Sequence, residues 1–150
     1  MNRTIRTLIA AATLTAPAFA FALPSVQGGA DRGDATVSGT VSQASNGTVS
    51  GKLMMVIRPS VPDSSTLALV CSYRTLYNLT VVGNVASFDA RGTCTVLDDD
   101  GTLPAFAVAN HFTITDNGAG PDGIDVNFYG PSGPAVPGGL VSYGDFTVTP

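Results

Sequence analysis

The chain has 150 residues, of which 12% are charged, and its formal net charge is −4. Eleven acidic residues, all of them aspartate, outnumber seven Lys and Arg residues, and such a surface disfavours binding to nucleic acid or to anionic membranes. The low charge and the abundance of Gly, Thr, Ser, Val and Asp favour short strands and turns over helices.

The first 22 residues have the pattern of a secretory signal peptide. Arg3 and Arg6 precede an apolar run, and small residues then allow cleavage after Ala20 or Ala22. The run is shorter than the roughly 20 residues needed to span a bilayer, so we expect no membrane insertion after cleavage. No cysteine follows the cut at once, which argues against a lipid anchor. The mature chain, with a formal charge of −6, is expected outside the cytoplasm, secreted or periplasmic.

Cys71 and Cys94 are the two cysteines of the chain. In an exported protein, an isolated pair of this kind predicts a structural disulfide. A zinc site would need more ligands than two cysteines and one histidine supply, and a reactive thiol would need a basic or helix-terminal setting. We therefore expect a disulfide that stabilises the fold by about 3 kcal/mol.

Residues 23–34 show no hydrophobic period and predict a flexible leader. Residues 35–150 are long enough for a single domain with its own core. From Ala35 onward apolar and polar residues alternate with period two, as in half-buried strands. The pattern predicts strands over 35–43, 48–58, 66–74, 76–82, 85–90, 92–97, 105–116, 124–129 and 140–148.

Turn residues separate these strands. Asn46-Gly47 and Gly83-Asn84 are typical hairpin turns. One face of the predicted strands would carry Leu67, Leu69, Cys71 and Tyr73, followed by Tyr77, Leu79 and Val81, and later by Phe106, Val108, Phe112 and Ile114. Asn110 interrupts the last of these faces, which predicts a β-bulge. About eight to nine short strands without a helix predict an antiparallel β-sandwich or a flattened barrel.

Three phrases resemble a known domain family. They are "LTVVGNVASFDARGTCTV", "HFTITDNGAGPDGIDVNFYG" and "PGGLVSYGDFTV", within residues 67–148. The order of strand, Gly-Asn hairpin, long strand, Gly/Asp loop and final strand is similar to that of post-COAP domains of secreted, mostly bacterial proteins. This resemblance implies a β-rich module outside the cytoplasm. It implies no catalytic residue, and the cysteines are not part of it.

The Gly/Asp loop after the long strand is a candidate calcium site. Calcium takes six to eight oxygen ligands, and Asp116, Asp122 and Asp125 offer carboxylates close together in sequence. The loop fails the EF-hand spacing and matches a calcium nonapeptide repeat in a single copy, so other loops would have to contribute, with Asp98 and Asp100 as candidates. The alternative is a corner between two strands, in which Asp and Asn bind turn amides.

Other kinds of site have less support. His111 is the single histidine and lies within a strand, no serine lies in a nucleophile-elbow phrase, and we expect no enzyme. Sugar binding would use exposed aromatic rings, and Tyr73, Tyr77, Tyr129 and Tyr143 are the candidates. The sequence thus predicts a secreted non-enzymatic module that is structural, adhesive or binding. The alternative is a calcium- or carbohydrate-binding module, and the partner is a protein or glycan outside the cytoplasm.

Overall fold

The computed structural model describes residues 22–58, 66–99, 101–128 and 136–150, and within these ranges it is all-β. This confirms the predicted fold class. The strands are β1 (Ser25–Asp31), β2 (Ala35–Gln43), β3 (Val49–Ile57), β4 (Thr66–Val82), β5 (Val85–Asp98), β6 (Gly101–Thr102), β7 (Phe106–Thr115), β8 (Gly123–Phe128), β9 (Val136–Leu140) and β10 (Tyr143–Thr149).

Nine of the strands form one continuous antiparallel sheet in the order β10-β1-β2-β3-β4-β5-β7-β8-β9, and the two-residue β6 pairs with β5. The sheet curls so that its two end strands, β9 and β10, follow each other in the chain through Val141 and Ser142. Val141 N donates to Asp122 O, and Ser142 N donates to Asp31 O. A single curled sheet corresponds to the flattened barrel rather than to the sandwich of two sheets.

The concave face of the sheet encloses the core. Tyr73, Phe88, Phe112 and Phe146 are its largest buried side chains. The ring of Phe112 packs edge-on against Tyr73 and parallel to Phe88, with centroid distances of 5.2 and 5.3 Å. The outer face carries the polar residues of the same strands, as the period-two pattern requires.

The flexible leader predicted for residues 23–34 is wrong, because Ser25–Asp31 form β1, paired with both β2 and β10. Val26 and Ala30 are buried in the core. The intervening inward position is Gly28, where a Cβ atom would lie 2.2 Å from the Asp145 carbonyl oxygen. A glycine therefore lets the strands approach closely. Because this glycine stands where an apolar residue would be expected, the alternation typical of a strand is not visible in the sequence.

Two pairs of predicted strands are continuous. Residues 66–74 and 76–82 belong to β4, and residues 85–90 and 92–97 belong to β5. The pairing of β4 with β5 shifts between Tyr73 and Thr75 and again between Tyr77 and Thr80. The first shift reverses the side chains, so Leu76 is buried, while Tyr77 leaves the predicted inward face and lies beside Arg91. The second shift restores the predicted face, so Leu79 is buried.

The bulge predicted at Asn110 is also wrong, because β7 keeps its register with β5 through this residue and pairs regularly with β8 as far as this residue. Asn110 is fully buried, and its Oδ1 accepts a hydrogen bond of 2.7 Å from the Tyr73 hydroxyl. Burial raises the pKa of that hydroxyl. A buried amide can replace an apolar residue when its polar atoms are paired, so no bulge is needed.

The predicted disulfide is confirmed between Cys71 and Cys94, which are direct partners across β4 and β5 and are fully buried. None of the described ranges contains a helix that could cross a bilayer. Residues 1–21 of the predicted signal peptide, the loop at 59–65 and the link at 129–135 lie outside the described residues.

Candidate functional site

Residues 116–122, here called the seam loop, lie where the two ends of the sheet meet. Asp122 is 1% exposed, and its two carboxylate oxygens accept hydrogen bonds from Asn117 N at 2.9 Å and from Phe146 N at 2.5 Å. Phe146 belongs to β10, whose other edge pairs with β1. Asp122 thus supplies the acceptor that a neighbouring strand would otherwise provide.

Asp116 accepts in the same way from a β10 amide two residues further along the strand. Its Oδ2 accepts from Val148 N at 3.0 Å, and its Oδ1 accepts from Gly118 N at 2.8 Å. These two amides lower the pKa of the Asp116 carboxyl below its ordinary value, because they stabilise its charged form. Asn84 Nδ2 donates to the Asp116 carbonyl oxygen at 2.7 Å, which fixes the loop to the β4–β5 turn.

The predicted calcium ligands are placed in different settings. Asp116 and Asp122 bind backbone amides, Asp125 lies on β8 and accepts from Asn127 Nδ2 at 3.2 Å, and Asp98 ends β5. Asp100 lies outside the described residues. Among the residues that are described, no three His, Cys, Asp or Glu side chains come together as a metal-binding group. The seam loop therefore has the geometry of the corner alternative, and calcium binding stays a prediction.

We expect the mature protein to melt at the same temperature with excess calcium and with a chelator, because calcium would have to displace four amide hydrogen bonds from Asp116 and Asp122. A ligand at about one hundred times its dissociation constant would add about 2.7 kcal/mol. For a domain of this size that is a rise of roughly 8–10 °C, measured by calorimetry. A rise of that order would restore the calcium hypothesis.

A second group of polar side chains lies on the outer face of β4, β5 and β7. His111 Nδ1 is 2.7 Å from Asp89 Oδ1, and His111 Nε2 is 2.8 Å from Ser87 Oγ. Asp89 and His111 are direct partners across β5 and β7. The side chain of Asp89 is 13% exposed and that of His111 is 32% exposed. Hydrogen bonds thus connect Ser87, His111 and Asp89 in series, which is the arrangement that activates serine hydroxyls in Ser-His-Asp triads.

Asn78 extends this hydrogen-bonded chain. Its Nδ2 donates to Asp89 Oδ2 at 2.7 Å. Asn78 has a φ of 56° and lies in the bulge between Tyr77 and Thr80, a conformation that asparagine tolerates better than most residues. The bulge therefore places a donor over the carboxylate, and we call Asn78, Asp89, His111 and Ser87 the outer polar chain.

Next to the outer polar chain, the sheet carries an open depression of about 470 Å³. It is lined by Ser72, Arg74, Thr75, Arg91, Gly92 and Thr93. Arg91 stacks over the Tyr77 ring at 5.4 Å from its centroid. Within the described part of the chain neither Arg74 nor Arg91 forms an ion pair, whereas Arg32 and Arg58 pair with Asp34 and Asp31. We call this surface the arginine depression.

The arginine depression follows from the first bulge of β4 and from Gly92. A Cβ atom at Gly92 would lie 2.0 Å from the Ser72 carbonyl oxygen, so only glycine allows β4 and β5 to approach this closely. Arg74 and Arg91, on neighbouring strands, then line one hollow in a protein that is otherwise acidic.

The three tyrosines that the structure describes do not form a binding row. Tyr73 is buried in the core, Tyr77 is half-buried beside Arg91, and Tyr143 is 80% exposed on β10. Tyr129 lies outside the described residues. The use of Tyr73 as a sugar platform is therefore wrong, because its ring packs on Phe112 and its hydroxyl is bound to Asn110.

The sequence prediction missed the outer polar chain, because its members lie far apart in sequence and meet through the pairing of neighbouring strands. Asp89 and His111 are 22 residues apart, and Ser87 is 24 residues from His111. An S-x-D pair on one strand, opposite a histidine on a strand that pairs with it, is the signal that could have identified the outer polar chain. No family model, no curated protein and no solved structure matches this chain.

Proposed function

We propose that this chain is an extracytoplasmic, non-enzymatic binding module, and that the arginine depression holds the acidic group of a glycan. The observation that carries the proposal is the pair of guanidinium groups, Arg74 and Arg91, in one hollow without carboxylate partners among the described residues. Arginine is well suited to planar carboxylate and sulfate groups because its donors form a rigid fork.

The other residues of the hollow favour a glycan over a peptide. Ser72, Thr75 and Thr93 contribute hydroxyl groups, and none of the described residues that line the surface has an apolar side chain. Hydroxyl groups and guanidinium donors match a ligand that is itself rich in hydroxyls and carries negative charge. A peptide would normally require a pocket for an apolar anchor. The disulfide between buried cysteines and the predicted signal peptide support a location outside the cytoplasm.

The resemblance of residues 67–148 to post-COAP domains supports the same proposal, since these are extracytoplasmic β modules. The aspartates of the seam loop have a structural role, because Asp116 and Asp122 bind backbone amides of β10. The structural part of the module and its binding surface are thus on different residues.

The test measures binding of the mature protein to oligogalacturonate, which carries carboxylates, and to heparin oligosaccharides, which carry sulfates. Dextran is the neutral control. We expect binding to at least one acidic probe, weakening with salt, and a loss of about tenfold or more for Arg74→Gln and for Arg91→Gln, since a charge-assisted hydrogen bond is worth about 1.5–3 kcal/mol.

Arg58→Gln is the matched control, because it removes one exposed positive charge from a residue paired with Asp31 and not from the arginine depression. It should bind the acidic probes as well as the unmodified protein does. Equal affinity for dextran, equal loss in all three variants, or no binding to either acidic probe would refute the proposal.

A further inference from the structure

We propose that Ser87 is an activated nucleophile that accepts the acyl group of small activated esters. This inference goes beyond the proposed binding function and does not depend on it. It rests on the geometry of the outer polar chain, in which Ser87 Oγ lies 2.8 Å from His111 Nε2 and His111 Nδ1 lies 2.7 Å from Asp89 Oδ1.

The hydrogen bond between His111 Nδ1 and Asp89 sets the tautomer of the imidazole. A carboxylate at Nδ1 accepts a proton from that nitrogen, so Nε2 of the neutral imidazole is left as the acceptor that faces the serine hydroxyl. Asn78 Nδ2 holds the other oxygen of Asp89 at 2.7 Å, which restricts rotation of the carboxylate. His111 is therefore the base, and Asp89 and Asn78 are positioning residues.

Exposure to solvent differs among the members of the outer polar chain. Asp89 is the most buried member, His111 is partly exposed, and Ser87 is half-buried on the outer face, where a ligand can approach it. The backbone of Ser87 belongs to a central strand that pairs with β4 and β7, so its amide is not directed at a bound ester. Esters with a good leaving group are the fitting class, since they need the least stabilisation of a developing oxyanion.

The reaction balances with p-nitrophenyl acetate as the probe. Ser87 Oγ attacks the carbonyl carbon and forms the new ester bond, while its proton moves to His111 Nε2. The bond from the carbonyl carbon to the aryl oxygen breaks and p-nitrophenolate leaves. The imidazolium, stabilised by Asp89, then gives its proton to solvent. One equivalent of p-nitrophenolate is expected for each acetyl-serine formed.

The experiment incubates the mature protein with p-nitrophenyl acetate and follows p-nitrophenolate release, intact mass and the position of the acetyl group by peptide mapping. We expect a burst of about one equivalent with the acetyl group on Ser87. His111→Gln should slow the burst by about 100-fold or more, and Ser87→Ala should remove it.

Ser25→Ala is the matched control, because Ser25 is another half-buried serine, on β1, and belongs neither to the outer polar chain nor to the arginine depression. It should react at the rate of the unmodified protein. Each variant is first shown to melt cooperatively, and both Ser87→Ala and His111→Gln change partly exposed side chains. Acetylation at other residues only, no acetylation, or an unchanged burst rate in His111→Gln would overturn the proposal.

Discussion

Replacing Asp122 by alanine is expected to lower the free energy of unfolding by about 3–5 kcal/mol. The reason is that its two oxygens accept from Asn117 N and Phe146 N in a setting that is 1% exposed, so both amides would lose their acceptors at a site with little access to water. Each such loss to a charged acceptor costs about 1.5–3 kcal/mol. Urea unfolding of the mature protein, analysed with a common m-value, measures the difference.

Two further variants separate the hydrogen bonds of Asp122 from its charge. Asp122→Asn keeps the shape and one acceptor oxygen, so we expect about half of the alanine effect. Asp125→Ala removes an aspartate three residues away that accepts from Asn127 Nδ2, and we expect a change within about 0.5 kcal/mol. If Asp122→Ala and Asp125→Ala had equal stability, the bond to β10 would contribute nothing.

Reduction of the Cys71–Cys94 disulfide is the second large effect that we expect. The bond joins residues 23 apart, and closing a loop of that length stabilises by about 3 kcal/mol through the lost entropy of the unfolded chain. The two residues are direct partners across β4 and β5, so the bond fits the native register. Urea midpoints of the oxidised and the reduced mature protein, which have identical sequences, measure the difference.

The burial of the disulfide also predicts how fast it is reduced. Both cysteines have no exposed surface, so a thiol reductant reaches them only when the sheet opens. We expect alkylation after reductant treatment to be slow in native buffer and fast in urea. Rapid alkylation in native buffer, or equal urea midpoints for the two forms, would contradict this role of the bond.

The local parts of the fold could be predicted from the sequence. β2 has the predicted limits of residues 35–43, and Gly83 forms the predicted turn with a φ of 62°. Alternation of apolar and polar residues and hairpin glycines are properties of neighbouring residues, so they are visible without a structure. The disulfide was predictable for another reason, since two cysteines allow one pairing.

The parts that depend on partners distant in sequence were missed. β1 was hidden by Gly28, whose role appears only when β10 lies against it. The acceptor role of Asp122 depends on Phe146, and the outer polar chain depends on the register of β5 and β7. The bulges of β4, which orient Asn78 and shape the arginine depression, have no signal in the local pattern that distinguishes them from a regular strand.

The pairing of β1 with β10 also sets the order in which the molecule can be completed during folding. Ser25 lies opposite Thr149, whereas β2 to β5 join through successive hairpins. Contacts between residues so distant in sequence close a long loop and are slow to form, while hairpins form early. A chain that emerges from its amino end can build the central hairpins at once, but β1 has one open edge until the last strand arrives.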